Sequence, residues 1–600
     1  MVHIPTIAAC KKLCSRHLRF IGPGLVSAVA YIDPGNWATD LEAGASYGYK
    51  LLFVVLLAGL AAIVLQTLSV RIGATTGTSL PHQTRQLFLR YEAKYPRYRV
   101  PIHCGLWTLY ILAEVAIIAT DLAELLGSAI ALHLLFPRLP LYAGVLITAV
   151  DVLIVLAFFN SSKGRQGMLL FEILITSLVL AVFVSFMVLL KLVRPNWGDV
   201  FLGYLPSATL VKPGALYIGV GIIGATVMPH ALFLGSSLAG VDRLNMQPRL
   251  PEPPNYMSRS ISHKLPSVFR RRKSPNREVD PESEYEMDAM DRPSSGVSAS
   301  YQRPGMSEVE VEQRVGKDEV LVGGRSNETL DAEMKRYEAE MKSFDRIKWV
   351  DIHLRHATID TSFSLLGFAL TINSSILILA GAAFYYNPDA TGEADIEGAF
   401  ELVKSYIGAG AGIVFAVALL CAGQSASITA TLAGQVVSEG FINWRTPPAT
   451  RRIVTRLIGV IPAAAVAAAV GQKGLNTMLV ASQVLLSIIL PTVIFPLVLL
   501  CSKDEVMTVE GLEITESPGR PHADVGHSAS PTLEADEITP APVTDGTGTE
   551  PAERPAPVVA KQTKSYKSPL WITILGFLLF AITVVANAYV IVQLILGNAG

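Results

Sequence analysis

The feature that most narrows the folds open to this chain is a succession of apolar stretches. Each is about the length, roughly 20 residues, that a helix needs to cross the hydrocarbon core of a bilayer. About eleven qualify by that length: 21–46, 51–71, 105–135, 141–159, 167–192, 214–238, 360–385, 404–438, 453–470, 475–500 and 568–597. The expected class is therefore an all-α polytopic membrane protein. Composition agrees, because only 16% of the 600 residues are charged, against about 25% in soluble domains. A net charge of -1 leaves no basic surplus for nucleic acid. The five cysteines, Cys10, Cys14, Cys104, Cys421 and Cys501, form no CxxC pair, so neither a disulfide framework nor a zinc site is expected.

The order of segments follows. Residues 1–20 are basic (Lys11, Lys12, Arg16, Arg19), lack a cleavable signal and read as a cytosolic N-terminal segment. Spans 1–5 occupy 21–192, span 6 214–238, spans 7–10 356–501 and span 11 567–597. Two polar stretches, 239–355 and 502–566, have too little apolar surface to offset ordering entropy and read as mostly disordered loops. Within the first, 328–346 has the composition of a solvated helix. The run Arg270–Lys273 beside Ser274 reads as solvated charge, and the loops are where kinases or the ubiquitin machinery are expected to act. Basic connections at Arg85–Arg99, Lys163–Arg165 and Arg445–Arg452 fall on one side with the N-terminus, and the acidic 387–398 on the other. The positive-inside rule then places the N-terminus and both loops in the cytosol, so Asn327-Glu328-Thr329 is no glycan acceptor.

Two spans carry interruptions. The first holds Asp33-Pro34-Gly35-Asn36, and the sixth Met228-Pro229-His230. Proline followed by glycine stops a regular helix, and in lipid the freed backbone groups are tolerated only where protein or a water-filled cavity satisfies them. A carboxylate there costs about 2.5–3.5 kcal/mol more on insertion scales. Spans 1 and 6 each begin a block of five, and matched breaks in two halves point to an inverted-repeat transporter with its site at mid-membrane. Asp33, the Asn36 amide and the backbone carbonyls of Ala30 and Ala225 are oxygen donors that suit hard cations. The Met228 thioether is a soft donor that favours manganese, iron, cobalt and cadmium over Ca²⁺ and Mg²⁺. His230 can exchange protons near neutrality. Because metal binding needs a deprotonated Asp33, metal entry and proton release are linked.

These motifs, with Gly22-Pro23-Gly24, Gly423-Gln424, Gly434-Gln435 and Ser482-Gln483-Val484, resemble the natural-resistance-associated macrophage protein (Nramp) family over about 20–240 and 355–500. The resemblance implies a LeuT-like fold of 5+5 helices plus one extra C-terminal helix, alternating access, and proton-coupled import of Mn²⁺, Fe²⁺ and related ions, in a fungal protein. It implies that Asp33, Asn36, Met228 and the carbonyls of Ala30 or Ala225 hold metal in different conformations. Metal and protons are cargo, and no resident cofactor is expected. The chain is expected to work as a monomer in the plasma membrane or an endosomal or vacuolar membrane.

Span 3 places Glu114, Asp121 and Glu124 along one helical face. On lipid these would cost roughly 7–10 kcal/mol, so they must face a polar interior. Span 9 begins Arg451-Arg452-Ile453-Val454-Thr455-Arg456, which supplies cationic partners. The resemblance assigns the acid face and the pair Arg451 and Arg452 to proton passage from Asp33 and His230. Asp151 and Glu172 read as structural. Two positions depart from the family pattern: Gly235 stands where many members have a second histidine, and Ile489 where many have glutamine, which leaves Gln483 as an accessory ligand. An organic-acid carrier of this architecture is disfavoured because Asp33 would repel a carboxylate. A metal-sensing receptor would be expected to carry a large folded soluble domain or a degraded site. An enzyme is not expected, for no HExxH, nucleotide loop or nucleophile elbow occurs.

Overall fold

A computed structural model describes residues 23–158, 164–248, 327–387, 395–444, 448–469, 471–516 and 558–596. The N-terminal segment 1–20, the basic run at 270–273 and Ser274 lie outside the described residues. Helices follow one another as α1 (Pro23–Val29), α2 (Pro34–Tyr47), α3 (Leu52–Thr76), α4 (Leu80–Lys94), α5 (Arg99–Leu135), α6 (Leu141–Phe158), α7 (Gly164–Val193), α8 (Pro213–Thr226) and α9 (Pro229–Ala239). Then come α10 (Asn327–Lys342), α11 (Arg346–Ser364), α12 (Leu370–Ala380), α13 (Ile396–Tyr406), α14 (Ala409–Ile442), α15 (Pro448–Ala469), α16 (Gly471–Ile489), α17 (Pro491–Ser502) and α18 (Leu570–Ile595). Among the described residues eight helical stretches are long and apolar enough to cross a membrane, and two shorter apolar helices occur at Leu141–Ile154 and Arg456–Ala469. Residues 247–343 and 443–446 form a separate unit, whose described helix α10 covers most of the stretch expected to be a solvated helix.

The expected first span is two helices. After α1 the N–H groups of Ala30, Tyr31 and Ile32 reach back only three residues, a tight turn rather than a helix. Asp33 then starts α2 as its cap, with extended backbone (φ -66°, ψ 166°) and a carboxylate accepting from the Asn36 N–H. Pro34 occupies the first turn, where a missing N–H has no helical partner to lose. The proline is thus less a breaker than the first residue of a new helix. The sixth span repeats this: α8 ends at Thr226, Met228 is extended (φ -82°, ψ 130°), and Pro229 opens α9. A residue before proline is pushed toward that conformation.

Close packing brings the broken helices to the centre. A Cβ on Gly127 of α5 would sit 2.1 Å from the Pro34 Cβ, so only glycine lets α5 meet the start of α2. Trp37, fully buried, packs on Phe186 of α7 and Phe415 of α14, ring centroids 4.8 and 5.2 Å apart. Glu172, expected to be structural, forms a buried ion pair with Arg243 at 2.7 Å. Cys104, Cys421 and Cys501 are free thiols.

The ends of the second loop depart from the expectation of disorder. Thr508–Glu516 (β1) and Val558–Ser565 (β2) pair antiparallel with one irregularity between Glu510 and Glu513. The hairpin is tied down: the Tyr566 hydroxyl donates to the Ile347 carbonyl at 3.1 Å and to Asp351 at 2.8 Å, and Lys564 reaches Asp351 at 2.7 Å. Hydrogen bonds from Lys567 and Ser565 hold the Asp504 carboxyl below the usual carboxylate range. Composition alone hides this pairing, because short strands rich in Thr, Glu and Lys gain their stability only from a partner and a docking surface.

Candidate metal site

The turn after α1, the cap of α2 and the turn after α8 converge. Asn36 Nδ2 donates to Asp33 Oδ1 at 2.6 Å and to the Ala225 carbonyl at 2.9 Å, tying the two breaks directly together. Asn36 therefore touches two of the other four expected ligands, Asp33 and Ala225. Ala30 lies in the turn preceding Asp33, and Met228 is fully buried three residues after Ala225. Among the described residues the second Asp33 oxygen, the Thr226 hydroxyl and Gln483 Oε1 are buried without a hydrogen-bond partner. Buried polar atoms usually find partners, so the orphaned Asp33 oxygen, with the Gln483 side chain beside it at Gly35, marks a place suited to a cation. No three His, Cys, Asp or Glu side chains converge among the described residues, which leaves the mixed set of carboxylate, amide, carbonyl and thioether as the candidate.

Gln483, the expected accessory residue, lies against the first break. A Cβ on Gly35 would sit 1.9 Å from its Nε2, so the glycine makes room for the amide, which donates to Ser482 at 3.0 Å. Ile489 is the last residue of α16 and is buried among apolar neighbours.

Two amides that sequence reasoning missed brace the breaks. Asn373 of α12 donates to the Tyr31 carbonyl at 2.9 Å and to Asn36 Oδ1 at 3.2 Å. It satisfies a carbonyl freed by the break and fixes the orientation of the Asn36 amide. Its signal was the run Asn373-Ser374-Ser375 inside an apolar span. Gln66 of α3 accepts from the Tyr31 hydroxyl at 3.1 Å and donates to the Ala231 carbonyl at 3.2 Å. It also accounts for Gly235: a Cβ there would lie 1.8 Å from Gln66 Nε2. The amide fills the room a second histidine would need.

The acid face of α5 adjoins the site through His230. Its Nδ1 lies 3.5 Å from the Thr120 hydroxyl, and its Nε2 is buried without a partner among the described residues. One turn further along α5 is Glu124, wholly buried, with neither carboxylate oxygen hydrogen-bonded among the described residues and within Coulombic reach of both Asp33 and Asp121. Asp121 pairs with Arg456. Glu114, Asp121 and Arg456 line one small cavity. The arginine seen on the acid face is thus Arg456. Arg451 and Arg452 lie in the first turn of α15, and their side chains are outside the described residues. Arg456 is one turn beyond Arg452, at the spacing that shares a helix face.

With this geometry in view, the chain was compared with known proteins. A family model described as natural resistance-associated macrophage protein-like matches residues 24–252 and 340–510. The manganese transporter pdt1 of Schizosaccharomyces pombe is 38% identical over 505 residues, covering 84% of this chain and 78% of that protein. The iron transporter SMF3 of Saccharomyces cerevisiae is 34% identical over 501 residues, covering 83% and 84%. The crystal structure of the Eremococcus coleocola manganese transporter superposes with a TM-score of 0.60 at 24% identity, covering 98% of this chain and 88% of that one. That likeness shows the fold.

Proposed function

Because this chain belongs to the natural resistance-associated macrophage protein-like family, whose members are transporters and not enzymes, we propose that it carries divalent transition-metal ions toward the cytosol by proton-coupled alternating access. Mn²⁺ and Fe²⁺ are the first cargoes, with Co²⁺ and Cd²⁺ accepted by the same donors. The membrane is the plasma membrane or an endosomal or vacuolar one, with the N-terminus in the cytosol.

One observation carries this reading. The Asn36 NH₂ group sits between an Asp33 oxygen at 2.6 Å and the Ala225 carbonyl at 2.9 Å. Its partial positive charge occupies the place a cation would take. Turning the amide over would present Oδ1 instead, freeing both oxygens for the metal, with the Met228 sulfur as the soft donor that disfavours Ca²⁺ and Mg²⁺. Metal requires the ionised Asp33, so a proton leaves as the ion enters. The buried His230, Glu124 and Asp121 offer it successive acceptors, with the Thr120 hydroxyl beside His230 and the Arg456 cation paired to Asp121.

Mn²⁺ uptake into proteoliposomes, with internal pH recorded, tests the proposal. Asp33→Ala abolishes uptake while the protein remains in the membrane; near-normal uptake by that variant refutes the site.

A further inference from the structure

The last helix, α18, lies outside the two blocks of five and beyond the residues that the family model matches. A polar side chain nevertheless fixes it to the core. In an unbroken helix the N–H of residue 491 would close on the carbonyl of Ser487, but residue 491 is proline and has no N–H. Before the gap the Leu490 N–H still reaches Leu486 at 2.9 Å, and beyond the proline the Val493 and Ile494 N–H groups both reach Leu490 at 3.0 Å. The orphaned Ser487 carbonyl instead accepts from Asn587 Nδ2 of α18 at 2.6 Å. The same amide accepts from the Ser487 hydroxyl at 2.8 Å. Both residues are buried, at 1% and 4% exposure. Asn587 stands in for the missing backbone donor.

The carbonyl it holds belongs to the turn of α16 that touches the candidate site from two directions. A Cβ on Gly224 would lie 2.0 Å from the Gln483 carbonyl and 2.7 Å from the Ser487 nitrogen, so α8 and α16 meet backbone to backbone there. The next residue, Ala225, presents the carbonyl that Asn36 contacts. One turn before Ser487, the Gln483 side chain rests on Gly35. A shift of the 483–487 turn therefore moves both the Ala225 side and the Gly35 side of the site.

We propose that Asn587 is a positioning residue for metal binding, an inference that rests on the metal-transport reading above. By supplying the donor that Pro491 removes, the terminal helix keeps the Gln483–Ser487 turn seated against the two breaks. Asn587 itself does not touch the metal.

The test is Mn²⁺ uptake by the full-length chain in proteoliposomes over a range of Mn²⁺ concentrations. Losing the Asn587 donor to this buried carbonyl raises the KM of Asn587→Leu about tenfold. Pro491→Ala restores an N–H at position 491, so it transports normally alone and returns the KM of the Asn587→Leu/Pro491→Ala double variant to near wild type. A structural role for Asn587 unrelated to Pro491 gives no such rescue. An unchanged KM in Asn587→Leu, a double variant as impaired as the single one, or an inactive Pro491→Ala each overturns the inference. If Asn587→Leu is missing from the membrane, the abundance of the double variant decides: its return supports the inference and its continued absence overturns it. Asp33→Ala run in parallel separates the two ideas. A dead Asp33→Ala beside an untouched Asn587→Leu overturns only the role of Asn587, whereas an active Asp33→Ala overturns the site itself.

Discussion

Asn36 shows how much of this site depends on the orientation of one amide. Asn373 donates to its oxygen at 3.2 Å, which turns its NH₂ group toward Asp33 and Ala225. Rotating the amide exchanges a donor for an acceptor at the same point, a small motion with a large electrostatic consequence. In the proposed site Met228 would act differently, through softness rather than charge. Met228→Ala is expected to keep Mn²⁺ uptake but to let Ca²⁺ compete; unchanged competition by Ca²⁺ shows that the thioether is not the filter. Gly235 is set by space. In Gly235→Ala the new methyl displaces the Gln66 amide, leaving the Tyr31 hydroxyl and Ala231 carbonyl without it. The expected loss is about 1–3 kcal/mol, read as a lower unfolding temperature in detergent, and an unaltered temperature contradicts the packing described.

At the scale of elements, α5 and α9 meet where His230 approaches Thr120, and behind them stand Glu124 and the Asp121–Arg456 pair. Titratable groups buried in series suit proton passage better than metal binding, since among the described residues they do not converge as a ligand cluster. His230→Ala is therefore expected to lower proton flux more than Mn²⁺ flux; equal losses assign the histidine a packing role. The breaks that create these elements were legible in the chain because proline, glycine and an ionisable group within an apolar run are local signals. Asn373, Gln66 and Asn587 were not. Gln66 and Asn587 are lone amides with no local signature, and even the polar run at Asn373 does not show its partner, since Asn373 and Tyr31 are 342 residues apart. The acid face was visible from spacing, but the pairing of Asp121 with Arg456 required knowing which side of α15 turns toward α5. The hairpin was hidden by a polar composition shared with unstructured loops.

For the molecule as a whole, the two broken helices divide the work. Each supplies one wall of the site, and the contacts between walls run through side chains that can let go without unfolding either helix. Alternating access needs such separable walls. If protons and metal share Asp33, an inwardly directed proton gradient accelerates Mn²⁺ uptake into proteoliposomes and a protonophore removes the acceleration. Uptake indifferent to the gradient leaves the metal site in place and removes the coupling. The class of fold was legible from span lengths and the matched breaks; which spans press together at mid-membrane was not, because that is decided by glycine-mediated approaches such as Gly127 on Pro34. The paired strands have a consequence of another kind. Glu516 and Val558 are partners in the ladder, and paired strands run only about 5 Å apart. The two ends of the described ladder therefore lie side by side, and a connection of any length closes the same gap. Closure entropy grows only logarithmically with the size of such an excursion. Evolution, or an engineer splicing in a fluorescent reporter, can lengthen it freely while the final helix keeps its berth.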